Sequence, residues 1–126
     1  MLEEIMVSVV DDRPGILAES GELLGRAEVN IETLAATNID GKGVIHLVVD
    51  DGDDAAEVLA SNGFEVVGSR GVLTSTLEDR PGELGRYCRR LAEAGVAISS
   101  VYIAKRGGGE SELIIAVDDY EAASTA

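Results

Sequence analysis

Asp12-Arg13-Pro14-Gly15 recurs 67 residues further on as Asp79-Arg80-Pro81-Gly82. Each copy follows a short β-like run, Ile5 to Val10 and Val72 to Leu77, and precedes a run of helical periodicity, so a strand-turn-helix unit is written twice. A period of this length exceeds a solenoid repeat and suits a small domain, which implies a tandem duplication within the 126 residues. The expected units are 1–69 and 70–126, with Gly68-Ser69-Arg70-Gly71 as a short linker and function sought where the copies meet.

In the first copy, Pro14 suits the opening turn of a helix, where its missing N–H has no partner to lose, and Ile16, Leu17, Leu23, Leu24 and Ala27 then share one face up to about Glu28. Val29 to Asn38 reads as a strand, Asp40-Gly41-Lys42-Gly43 as a hairpin loop and Val44 to Val49 as the returning strand. Asp50 to Asp54 supplies caps for a second helix ending at Ser61, which Asn62-Gly63 closes before a strand at Phe64 to Val67. The order β-α-β-β-α-β predicts an α+β protein of two ferredoxin-like units, each an antiparallel sheet with its helices on one face.

The second copy repeats the order: strand Val72 to Leu77, helix Pro81 to Ala94 with Leu84, Tyr87, Cys88 and Leu91 on one face, strands Val96 to Lys105 and Glu112 to Val117, and a short helix. It lacks a counterpart of Phe64 to Val67, which leaves a sheet edge for another strand or a partner, so a homodimer is expected.

Composition narrows the partners. Units of roughly 60 residues have marginal cores, and with 45% hydrophobic but 3% aromatic residues those cores must be aliphatic. A formal charge of −14, from 10 Lys+Arg against 24 Asp+Glu, repels phosphate backbones and anionic lipid, which disfavours nucleic acid and membrane as partners. Only Lys42 and Lys105 are lysines; such an acidic, Lys-poor chain fits solvation in concentrated salt, and equally an acidic protein from a GC-rich genome. Cys88 is the sole cysteine, so a reducing interior is the default, and neither a signal peptide nor a membrane span is visible; a cytoplasmic location is expected.

Several tempting features carry no chemistry. His46, the one histidine, lies mid-strand with no ligand-spaced neighbours and reads as a packed or partly exposed strand residue. Asp50 to Asp54 lacks the alternating oxygens of a calcium loop. Gly107-Gly108-Gly109 is not followed by Lys-Ser/Thr and reads as a flexible hairpin rather than a phosphate loop. Ser20, Ser75, Ser99 and Ser100 have no plausible base. No catalytic constellation, metal site or cofactor motif emerges, so the chain is not expected to be an enzyme.

A strand-to-helix turn offers free N–H groups to an anion, and Gly15 and Gly82 permit close approach to the main chain. A capped tight turn would account for one copy; two copies in register favour a site. The stretch Val9 to Leu17 followed by Val29-Asn30-Ile31-Glu32-Thr33-Leu34 resembles an ACT domain, the small-molecule sensing module of many enzymes of amino-acid metabolism, and the resemblance spans both copies. It implies an amino acid held between modules by the turn of one and the start of the second strand of its neighbour. Carried over, the ligand-binding residues are Asp11, Asp12, Arg13, Pro14, Gly15 and Ile16, then Glu78, Asp79, Arg80, Pro81 and Gly82, with strand starts Asn30-Ile31 and Ala97-Ile98.

Asn30 can donate to a carboxylate and accept from an ammonium, whereas Ala97 can do neither, so the copies have diverged. Pairing of halves within a chain would join the second turn to Asn30. Pairing of like halves between chains would join the first turn to Asn30. The expected function is non-catalytic amino-acid sensing at module interfaces; the alternative is a regulatory subunit of an amino-acid biosynthetic enzyme such as acetolactate synthase, and a small ferredoxin-like enzyme is a third.

Overall fold

A computed structural model describes residues 2–126. The chain divides into two compact units, between Gly71 and Val72. The first contains β1 (Glu3–Val9), α1 (Ile16–Arg26), β2 (Ile31–Ile39), β3 (Lys42–Val49), α2 (Gly52–Ser61) and β4 (Glu65–Gly71). Its sheet has the order β2-β3-β1-β4, antiparallel throughout, with Ile5 opposite Leu47 and Ala36 opposite Ile45. The second contains β5 (Leu73–Glu78), α3 (Glu83–Glu93), β6 (Ile98–Gly107), β7 (Glu110–Val117) and α4 (Tyr120–Thr125), with a three-stranded sheet β5-β7-β6. Two ferredoxin-like units, the second with three strands, match the predicted fold class.

Period-2 alternation places the cores. Ile5, Val7 and Val9 of β1 join Ile45, Leu47 and Val49 of β3 beneath Leu24 of α1 and Ala55 and Leu59 of α2, so both helices cover one face. In the second unit Leu113, Ile115 and Val117 of β7 pack under Tyr87 and Leu91 of α3 and Ala123 of α4. Burying a leucine such as Leu24 or Leu59 contributes about 1.5–3 kcal/mol, which makes each aliphatic contact count in units this small.

The stretch expected to be a linker is structured. Gly68 to Gly71 extends β4, and Arg70 Nε donates to Glu4 Oε1 at 2.5 Å from the neighbouring strand. Glu4 lies on the sheet face away from the helices and is fully buried, so the guanidinium supplies the countercharge that a buried carboxylate requires; His46 Nδ1 adds a contact at 3.2 Å. His46 is thus a partly exposed strand residue tied to a buried acid. The hairpin loops are also tighter than expected: Asp40-Gly41, both at positive φ, and Gly108-Gly109 form the two-residue turns that suit twisted antiparallel strands.

Candidate functional site

The repeated tetrapeptide is a type II turn, and this explains its composition. Ile16 N–H donates to Arg13 O at 3.4 Å across Pro14-Gly15, and Gly15 holds φ 96° and ψ −11°; Glu83 N–H donates to Arg80 O at 3.3 Å across Pro81-Gly82, with Gly82 at 90° and −13°. Proline presets the first central position and only glycine adopts the second without strain. Pro14 therefore precedes the helix rather than opening it: α1 starts at Ile16, with Gly15 as its cap. Gly15 O accepts from Glu19 N–H at 2.9 Å, coupling turn to helix.

In the first unit this turn walls a cavity of about 300 Å3. Asp12, Arg13, Gly15, Ile16 and Leu17 form one side; the other is the distal half of the β2–β3 hairpin, with Ala36, Thr37, Asn38, Gly43, Val44 and Ile45. Asn38 Nδ2 donates to Asp12 Oδ2 while its Oδ1 accepts from Gly41 N–H at 3.2 Å, so one amide pins the turn to the hairpin tip. A Cβ at Gly43 would meet Val9 Cβ at 3.2 Å and Asp12 Oδ2 at 3.6 Å; the missing side chain gives the carboxylate its room. Among the described residues no cation pairs with Asp12, whereas Arg13 Nη2 sits 2.8 Å from Glu19 Oε2. Apolar walls with one un-neutralised carboxylate and an adjacent guanidinium suit a small amphiphile carrying an ammonium.

The second turn is laid out on the same plan with different chemistry. Its recess measures about 110 Å3. Arg106 Nη2 donates to Asp79 Oδ1 at 2.7 Å, Arg80 reaches Glu78 at 3.0 Å and Glu83 at 2.9 Å, and Arg86 reaches Glu83 at 2.5 Å. Hydrogen bonds from Arg86 and then Arg80 hold the Glu83 carboxyl below the usual range, and those from Arg80 to Glu83 and from Arg106 to Asp79 hold both guanidinium groups above theirs.

Of the predicted residues, the structure gathers Asp12, Arg13, Gly15 and Ile16 at the first cavity and Glu78, Asp79 and Arg80 at the second. Asp11 lies on the other side of its turn, on a separate recess of about 260 Å3 beside Asn62 and Phe64. Asn30, Ile31, Ala97 and Ile98 line neither turn cavity. Asn30 and Ala97 share a backbone role instead: Asp50 Oδ1 accepts from Asn30 N–H at 3.0 Å and Asp118 Oδ1 from Ala97 N–H at 2.8 Å, so the clip survives the change of side chain. The Asn30 amide donates to Glu32 Oε1 at 3.4 Å.

Sequence reasoning missed Asn38, Gly43 and Arg106, the hairpin half of each cavity. A polar residue at the end of β2 and a glycine opening β3 were the available signal. Leu17 and Leu84, expected on buried helix faces, are 46% and 42% exposed and sit on the two cavities. Among the described residues no group of three His, Cys, Asp or Glu is placed to hold a metal, and no helix is long and apolar enough to cross a membrane.

The fold is shared with solved structures of low identity. A protein from Bacteroides thetaiotaomicron superposes with TM-score 0.83 at 21% identity, over 98% of this chain and 83% of that one. The regulatory subunit of aspartate kinase from Thermus thermophilus, in its ligand-free form, superposes with TM-score 0.74 at 19% identity, covering 97% and 87%. Its Thermus flavus counterpart gives 0.71 at 19%, with the same coverage. No curated protein matches. The family model described as an ACT domain pair matches residues 1–125, in keeping with two turn-helix-hairpin units in series, and the chain belongs to that family.

Proposed function

We propose that this chain is a regulatory module that binds a free amino acid, with the cavity behind Asp12-Arg13-Pro14-Gly15 as its principal site. The observation that carries the reading is that cavity: about 300 Å3, apolar walls, and one carboxylate without a countercharge. Asp12 takes the ligand ammonium and the turn amides with Arg13 face its carboxylate, while Val9, Ile16, Val44 and Ile45 receive a short aliphatic side chain. Asn30 and Ile31 enter such a site only if a neighbouring module presents them, as the family resemblance implies.

Output follows from linkage. A ligand that binds one arrangement of modules better than another stabilises that arrangement, and a partner that prefers it feels the same coupling. Strands β2 and β6, each last in the order of its sheet, expose Leu34, Ile39, Val101 and Ile103, apolar surface of the kind a second copy or a catalytic chain covers. A role as accessory subunit of an amino-acid biosynthetic enzyme is supported by the regulatory subunits of aspartate kinase that share the fold. Against acetolactate synthase stands the recurrence of the turn in the second half, since regulatory subunits of that enzyme resemble an ACT domain only in their first half.

Thermal-shift screening of the proteinogenic L-amino acids tests the reading. At least one should stabilise the protein, by about 2.7 kcal/mol at a hundredfold excess over its dissociation constant. A flat response across all of them, with no co-purified metabolite, would sink it.

A further inference from the structure

The two turns differ at one structurally equivalent position. Up to Ile103 the second unit follows the first at an offset of 67, so that Ile103 opposite Leu113 matches Ala36 opposite Ile45, the partner strand lying past the insertion at an offset of 68. β6 then carries a bulge between Ile103 and Lys105, and beyond it the offset is 68. Asn38 opposite Gly43 is therefore matched by Arg106 opposite Ser111, and each side chain reaches the aspartate of its own turn, Asn38 to Asp12 and Arg106 to Asp79. A neutral amide in one unit stands where a guanidinium stands in the other.

The geometry points to Arg106 as a built-in ligand of the second turn, occupying the cation position that in the first turn is left open for an external ammonium, so that each chain offers one turn site rather than two.

Three features carry this. Among the described residues Asp12 accepts only from an amide and pairs with no cation, whereas Asp79 is neutralised at 2.7 Å. Gly43 has no side chain beside Asp12, whereas its counterpart Ser111 carries one and lines the second recess, which measures about 110 Å3 against about 300 Å3 for the first. The remaining charges of the second turn are spent on one another, Glu78 and Glu83 on Arg80 and Arg86, so an incoming zwitterion meets no unpaired pole. Exposed ion pairs of this type add little stability, since Arg106 is 63% exposed, but a ligand must displace them to enter. Their effect is on specificity.

The assignment of the first turn as the open site rests on the proposed function; the closure of the second does not. Both are tested with n-butylammonium, a cation with an apolar tail and no carboxylate, followed through backbone amide shifts of the full chain. In the wild type, Ile16 and its neighbours should shift saturably, while Glu83 and its neighbours respond at least tenfold more weakly. Arg106→Asn should bring the second turn to an affinity within a few-fold of the first, Asn38→Arg should weaken the first at least tenfold, and Arg106→Lys, which keeps a cation, should leave the second closed. Equal response of both turns in the wild type, no response at the first, or a second turn unmoved by Arg106→Asn would overturn the inference. Amide saturation by n-butylammonium with no response to any amino acid would instead reject the amino-acid reading and leave the closed turn standing.

Discussion

At the scale of single residues, Gly15 and Gly82 bear the strictest backbone demand, because each is the left-handed second position of a type II turn. Alanine at either position is expected to destabilise by about 1–2 kcal/mol, read as a lowered denaturation midpoint at unchanged slope. Glu4 is a residue whose role no local pattern announces: its acid faces away from the helices in a strand that otherwise reads as apolar, and only the pairing of β1 with β4 shows that Arg70 answers it. Arg70→Ala should cost about 3 kcal/mol by denaturant titration, since it takes away the guanidinium that pairs with a buried carboxylate. Glu83 gives a pH signature. Its carboxyl is held below the ordinary value of 4.5 in the fold, so its contribution is complete above that value and fades as the pH falls through the lowered one. The stability difference between wild type and Glu83→Gln should therefore disappear once the pH has fallen through that lowered value, and shrink in high salt; a difference that persists in strong acid would place the effect elsewhere.

At the scale of elements, α2 is set by Asp51, whose Oδ1 accepts from Asp54 N–H at 3.0 Å. Asp51→Ala should cost about 1 kcal/mol in the same titration, the usual worth of a lost N-cap. Much of this layer was legible in the sequence. Period-2 runs marked β1 and β3, the cluster Asp50 to Asp54 marked the start of α2, and the repeated tetrapeptide marked both strand-helix junctions. What escaped detection was set by long-range pairing. Gly68 to Gly71 looks like a linker by composition, yet it is strand because β1 offers it a partner and Glu4 a charge. Leu17 and Leu84 fall on the apolar helical face by periodicity, yet each is more than two-fifths exposed and lines the turn cavity instead. Half of the candidate site was legible for the same reason: the turn is local in sequence, whereas Asn38 stands 26 residues from Asp12 and Arg106 27 from Asp79, reached only through a hairpin whose register a single bulge alters.

At the scale of the whole molecule, duplication has produced two units alike in fold and unlike in chemistry. Each keeps the type II turn, the aspartate clip on the second strand and a leucine on its cavity. They part in the polar group that meets the turn aspartate and in the space beside it, the features that decide whether a ligand enters. On the proposed function and the closure of the second turn, the first copy is the one that senses and the second is retained for architecture. The most direct test is a backbone amide titration of the intact chain with the amino acid that most raises its thermal midpoint, repeated on Asp12→Asn. The account predicts saturable shifts centred on Gly15, Ile16, Asn38 and Gly43, weakened at least tenfold by Asp12→Asn. Saturable binding that leaves those amides unmoved, or that is indifferent to Asp12→Asn, would contradict it.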